Sequence, residues 1–85
     1  MRIILEEHKE LIRQGLLSKP RYTWTGNDAR IARKVLGLTQ GELGMEIDYT
    51  NGGISKNERC EAENIGNRVY ELSLRYLLIE GLSNG

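Results

Sequence analysis

Residues 39–55 read TQGELGMEIDYTNGGIS, a polar, glycine-bearing break between two short runs with helical spacing. Before the break Leu43 and Ile47 stand four residues apart, and after it Ile54 stands four before Glu58, so each run carries one inward stripe. Asp48, Tyr49 and Thr50 form the break itself. Two short helices joined by a turn of about three or four residues make a compact corner, and one use of that corner is to set its second helix in a DNA groove.

The ends of both runs carry their own signals. Thr39-Gln40-Gly41-Glu42 is a full capping box, in which hydroxyl and carboxylate each satisfy a free backbone N–H, and it predicts a helix opening at Thr39 with Leu43, Gly44 and Ile47 inward. Gly44 lowers helix propensity, and the expected return is close approach of a neighbouring helix. Thr50 is placed to cap the next helix, from Asn51 to about Arg59, although Gly52 and Gly53 in its first turn make tertiary packing necessary.

Working outward, Thr25-Gly26-Asn27-Asp28 is an approximate capping box with Asp in place of Glu, and it opens a helix with Ile31, Ala32, Val35 and Leu36 inward and a stop at Gly37. Pro20 separates this helix from an opening one whose stripe is Ile4, His8, Leu11, Ile12 and Leu16, ending at Gly15 or one turn later. Trp24, just before a cap, predicts packing against its helix rather than base stacking. The last helix, from about Ala62 to Glu80 with a stop at Gly81, places Ile65, Val69, Leu72, Tyr76 and Ile79 inward at alternating steps of four and three. Leu74 and Leu78 fall off that stripe and predict an exposed apolar patch, the interface of a homodimer, with the opening helix as the alternative source. The expectation is one all-α domain: an N-terminal helix and basic linker over 1–24, a helix-turn-helix core over 25–60 and a long C-terminal helix over 61–85.

A chain of 85 residues buries a modest share of its surface, which makes dimerisation a natural aid to stability. One cysteine, Cys60, and one histidine, His8, cannot supply an internal disulfide or the ligands of a structural zinc site, so no metal or cofactor is expected and the reading is a reducing, cytoplasmic compartment. No apolar run approaches the roughly twenty residues of a membrane span. Net charge is zero, but residues 1–38 hold eight Lys or Arg against four acidic groups and residues 39–85 the reverse, about +4 and −4, which leaves room for a basic face. His8 has no Asp, Ser or Cys beside it and reads as a half-buried core residue, and the carboxylates form no acid/base pair, so no enzyme is expected.

Leu38-Thr39-Gln40-Gly41-Glu42-Leu43, followed at fixed offsets by Ile54-Ser55 and Glu58, resembles the Xre/Cro-type helix-turn-helix repressors, whose core reads approximately L-T-Q-x-E-L-A-x-x-L-G-V-S-x-x-x-I-S-x-h-E-x-G with h apolar. Residues Gly26 to Leu36 look like that family's first core helix. The resemblance covers about residues 25 to 60 and implies a lambda-repressor-like core. Four positions depart from the pattern: Gly44 replaces Ala, Asp48 the turn Gly, Asn57 an apolar residue and Cys60 the terminal Gly. Asp48 tolerates a left-handed turn, whereas a side chain at Cys60 disfavours one and would carry the fourth helix on toward Glu61. Asn57 needs water or a partner.

The resemblance implies that Gln40 and its helix terminus grip a phosphate, the alternative being a solvated polar residue. Asn51, Gly52, Ser55 and Lys56 are outward positions of the fourth helix. Asn51 is placed to pair with adenine or to make a local bond, Gly52 to bring backbone close to the duplex, and Lys56 to meet guanine or phosphate. Arg30, Lys34 and Arg59 are phosphate candidates or solvated charges, and Lys19-Pro20-Arg21-Tyr22 is a linker or a DNA-contacting arm. Arg33 and Glu58 resemble the family's partly buried ion pair. The implied function is a dimeric, sequence-specific regulator of double-stranded DNA, a repressor of phage or mobile-element type on an inverted repeat. The competing class is an antitoxin-like module that neutralises a toxin partner.

Overall fold

The computed structural model describes residues 4–59 and 68–83, and every structural statement below refers to them. Five α-helices follow one another: α1 (Glu6–Gln14), α2 (Gly26–Val35), α3 (Gln40–Ile47), α4 (Asn51–Glu58) and α5 (Arg68–Ser83), with a 3₁₀ turn at Leu16–Ser18. The described residues contain no strand, so the protein is all-α. α4 packs against α2 and α3, and α5 against α2. None of these helices is long and apolar enough to cross a membrane.

The predicted caps form. Thr25 Oγ1 accepts from Asp28 N at 3.2 Å while Thr25 N donates to Asp28 Oδ2 at 3.0 Å, and Thr39 and Glu42 repeat the arrangement at 3.1 and 2.9 Å. Thr50 Oγ1 accepts from Gly53 N at 3.0 Å, which starts α4 despite its glycines. Asp48 ends α3 at φ +62°, a left-handed turn residue, and Gly37 at φ +72° follows α2. Gly44 is a necessity of this turn. A methyl there would strike the Tyr49 carbonyl, so the close approach comes from the chain's own reversal and not from a neighbouring helix.

The core gathers Ile4, Ile12 and Leu16 with Trp24, Ala29, Ala32, Leu43 and Ile54, closed by Tyr70, Leu74 and Leu78 of α5. Leu11 and Ile31, expected inside, are exposed, and Lys9 is buried with its ammonium 3.1 Å from Glu6. The larger correction concerns α5. Leu74 and Leu78 are fully buried and cannot be a dimer surface, while Val69, Leu72, Tyr76 and Ile79, assigned to the interior, face outward. Ile65 lies outside the described residues, as do Cys60 and Glu61. α5 also runs through buried Gly81 to Ser83 instead of stopping there.

The reason for the reversed face is a buried pair. Glu71 and Arg75 lie on the inner side of α5, joined Oε2 to Nε at 2.9 Å. The same carboxylate accepts from the backbone N–H of Tyr22 at 2.6 Å and of Trp24 at 3.1 Å, and Arg75 donates to the Lys19 and Pro20 carbonyls at 3.1 and 2.9 Å. Its guanidinium stacks on Trp24, whose indole N–H donates to the Leu16 carbonyl at 3.1 Å. Lys19 closes the segment by binding both Asp28 oxygens, at 2.8 and 2.9 Å. The basic linker is thereby a fastened strap, and Trp24 is core.

Candidate nucleic-acid interface

The α3–turn–α4 corner is held by one carboxylate. Glu58, at the inner end of α4, is buried; Arg33 of α2 donates Nε to its Oε2 at 2.6 Å and Nη2 to its Oε1 at 3.1 Å. The two-pronged geometry fixes α4 against α2 in one orientation. Arg33 also donates to the Leu38 carbonyl at 2.9 Å, tying the loop before α3 to the same point. The ion pair expected between Arg33 and Glu58 is therefore present, and it joins α2 to α4.

Gln40 joins it. Its side-chain amide donates to Glu58 Oε1 at 3.2 Å, so the residue is neither simply solvated nor wholly available to a phosphate. Arg30 leans on the same group, with Nε 3.8 Å from Glu58 Oε1 and Nη2 3.4 Å from the Glu58 carbonyl, while remaining 42% exposed at its side chain. Below them lies Tyr70 of α5, its ring 5.3 Å from that of Tyr49. Burial pushes the Tyr70 phenol above its ordinary pKa, and the Glu58 charge adds to the rise while Arg33 opposes it.

On the outer side of α4 the predicted residues come together. Asn51, Gly52, Lys56 and Arg59 are exposed and Ser55 is half-buried. Ser55 Oγ accepts from Arg59 Nη1 at 3.1 Å, which orients the guanidinium along the helix surface. Asn57 finds its partner within the helix, donating Nδ2 to the Gly53 carbonyl at 2.9 Å. A Cβ at Gly52 would meet nothing within 4 Å, so this glycine is not required by the fold. Arg30 and the exposed Lys34 lie on α2, the helix that α4 packs against.

The strap places Tyr22 under Arg68, with the guanidinium carbon 4.7 Å from the ring centre, and holds the Tyr22 backbone at φ +67°. The role of Glu71 and Arg75 was missed from the sequence; their i, i+4 spacing, which sets opposite charges on one face of α5, is the signal that could have found it. His8 is half-buried as expected, with Nδ1 lacking a hydrogen-bond partner, and it lines an apolar groove with Leu11 and Ile31. No protein family, curated protein or solved structure matches the chain.

Proposed function

We propose that this protein is a sequence-specific DNA-binding transcriptional regulator that sets α4 in the major groove of an inverted-repeat operator as a homodimer. The observation that carries the reading is the outer face of α4, where Asn51, Gly52, Lys56 and Arg59 are exposed on a short helix whose inner end is clamped by Arg33 and Glu58. A clamped helix presents its polar face at low entropic cost, which base readout needs. Asn51 has the donor and acceptor to pair with adenine, Lys56 suits guanine or phosphate, and Gly52 lets the duplex approach the backbone. Arg59, Arg30 and Lys34 supply cations for the phosphates although the whole chain is neutral.

Gln40 fits as a positioning residue that hands Glu58 to the corner and keeps its amide oxygen for a contact. Regulation then follows from occupancy of a promoter, without chemistry on the DNA. Selection of bound sites from random duplexes, followed by titration at low and moderate salt, tests the reading. The expected result is an enriched inverted repeat bound more tightly than bulk DNA, with affinity falling steeply as salt rises. Equal affinity for all duplexes at low salt would refute it.

A further inference from the structure

Between α1 and α2 the core opens to the surface in a groove of about 270 Å³, lined by His8, Leu11, Ile12, Leu16, Ile31 and Val35. Ile12 and Leu16 form its buried floor, while Leu11 and Ile31, 72% and 42% exposed, stand at its lips. The two apolar residues that the core leaves out thus border one hollow. An engineered apolar cavity of about 150 Å³ binds benzene, so this volume suits one ring or branched chain with a short arm, and is too small for a helix.

His8 is the one polar residue of the lining, and its Nδ1 is buried without a hydrogen-bond partner. A neutral imidazole carries a single N–H, and a buried N–H with no acceptor is avoided more strictly than a bare acceptor. The proton therefore belongs on Nε2. Because the ring is only half-buried, Nε2 is the nitrogen left on its open side. The groove is then an apolar slot with one hydrogen-bond donor in its wall.

We infer that this groove binds a small apolar carboxylate, with its ring or branched chain against Ile12, Leu16 and Val35 and a carboxylate oxygen accepting from His8 Nε2–H. Charge favours an anion over an amine. The groove lies wholly within residues 1–38, which hold eight Lys or Arg against four acidic groups, and exposed Lys34 stands beside Val35 on α2. The acidic neighbour, Glu7, lies about a quarter turn round α1 from His8. None of the six lining residues belongs to α3 or α4, so the site stands whatever the outcome of DNA binding.

Titration of the full chain with phenylacetate, followed by side-chain methyl and imidazole NMR, tests it. Saturable shifts are expected at the methyls of Leu11, Ile12, Leu16, Ile31 and Val35, and in mildly alkaline solution the His8 nitrogens should show the Nε2–H form. Phenethylamine, of like shape and opposite charge, should bind at least about tenfold more weakly. His8→Leu keeps an apolar wall but removes the donor, and should weaken phenylacetate by about tenfold or more. Leu11→Ala, at an exposed lip, should weaken it several-fold without touching the core. Trp24 fluorescence during thermal unfolding checks that both variants are folded. The inference is overturned by the absence of saturable shifts with phenylacetate and isovalerate, by shifts spread beyond the groove, by equal binding of phenethylamine, or by binding indifferent to His8→Leu. Contacts to these methyls from a second copy in the ligand-free protein would give the groove to a neighbouring chain and overturn it as well.

Discussion

Arg33 and Glu58 meet through two hydrogen bonds, 2.6 and 3.1 Å long, across the junction of α2 and α4, and Glu58 is only 2% exposed. Because the pair is largely desolvated, removing one member strands the other's charge. Arg33→Ala and Glu58→Ala are each expected to cost roughly 3–5 kcal/mol. Gln40 and Arg30 also lose their shared acceptor in Glu58→Ala, so that variant should be the less stable of the two. Urea unfolding followed by helical circular dichroism measures both, and midpoints equal to wild type would show that the pair does not hold the corner.

Gly52 separates folding from binding. Its missing side chain has open space around it, and Gly inside a helix is less stable than Ala by about 0.5–1 kcal/mol, so Gly52→Ala should raise the thermal midpoint. If the duplex approaches the backbone at this point, the same methyl group lowers DNA affinity. A variant that is more stable and binds selected DNA as well as wild type would remove Gly52 from the interface.

Asn51→Ala and Lys56→Ala remove exposed side chains, and each should leave stability within about 0.5 kcal/mol of wild type. A lost base contact costs about 1–3 kcal/mol and relaxes preference at one position of the site. A lost phosphate contact instead weakens all sequences alike and lowers the salt slope by about one. Binding curves at several salt concentrations on selected and scrambled sites assign each residue to one role.

The caps of α2, α3 and α4 were legible because a Thr three residues before its partner acts through local chemistry, and the Arg33–Glu58 clamp was legible through the resemblance. The facing of α5 was not. Its sequence carries two apolar stripes, and choosing between them by periodicity assumed that Glu71 and Arg75 face water. Their partners lie 47 to 56 residues earlier in the chain, on a strap whose backbone groups leave no trace in a hydrophobic pattern. The bond from Gln40 to Glu58, across 18 residues, was hidden in the same way.

Asp28 makes stability depend on acid. Burial tends to raise its pKa, but the Lys19 ammonium and the Thr25 N–H outweigh that, and the folded-state value lies below the ordinary 3.8. A carboxylate depressed on folding stabilises the protein above its unfolded pKa and loses that contribution as pH falls through the folded value. Stability should therefore decline on acidification below 3.8, and Asp28→Asn should flatten that part of the curve. Unfolding midpoints between neutral and strongly acidic pH provide the comparison, and an unchanged slope in the variant would exclude Asp28 as its source.

Glu71 is the group on which the strap depends. Its carboxylate accepts from two backbone N–H groups and from Arg75, all in the interior. Glu71→Ala leaves those donors unsatisfied beside a buried guanidinium, and a cost of at least roughly 3–5 kcal/mol is expected from the stranded charge alone. Glu71→Gln keeps one acceptor oxygen while losing the charge, so it should recover part of the stability but not all of it. Trp24 is the only tryptophan and stacks under Arg75, which makes its fluorescence a local reporter. In Glu71→Ala the strap should loosen before the rest of the bundle, with the Trp24 transition preceding the loss of helical circular dichroism. Coincident transitions at the wild-type midpoint would mean that the strap is held by Lys19 and Asp28 instead.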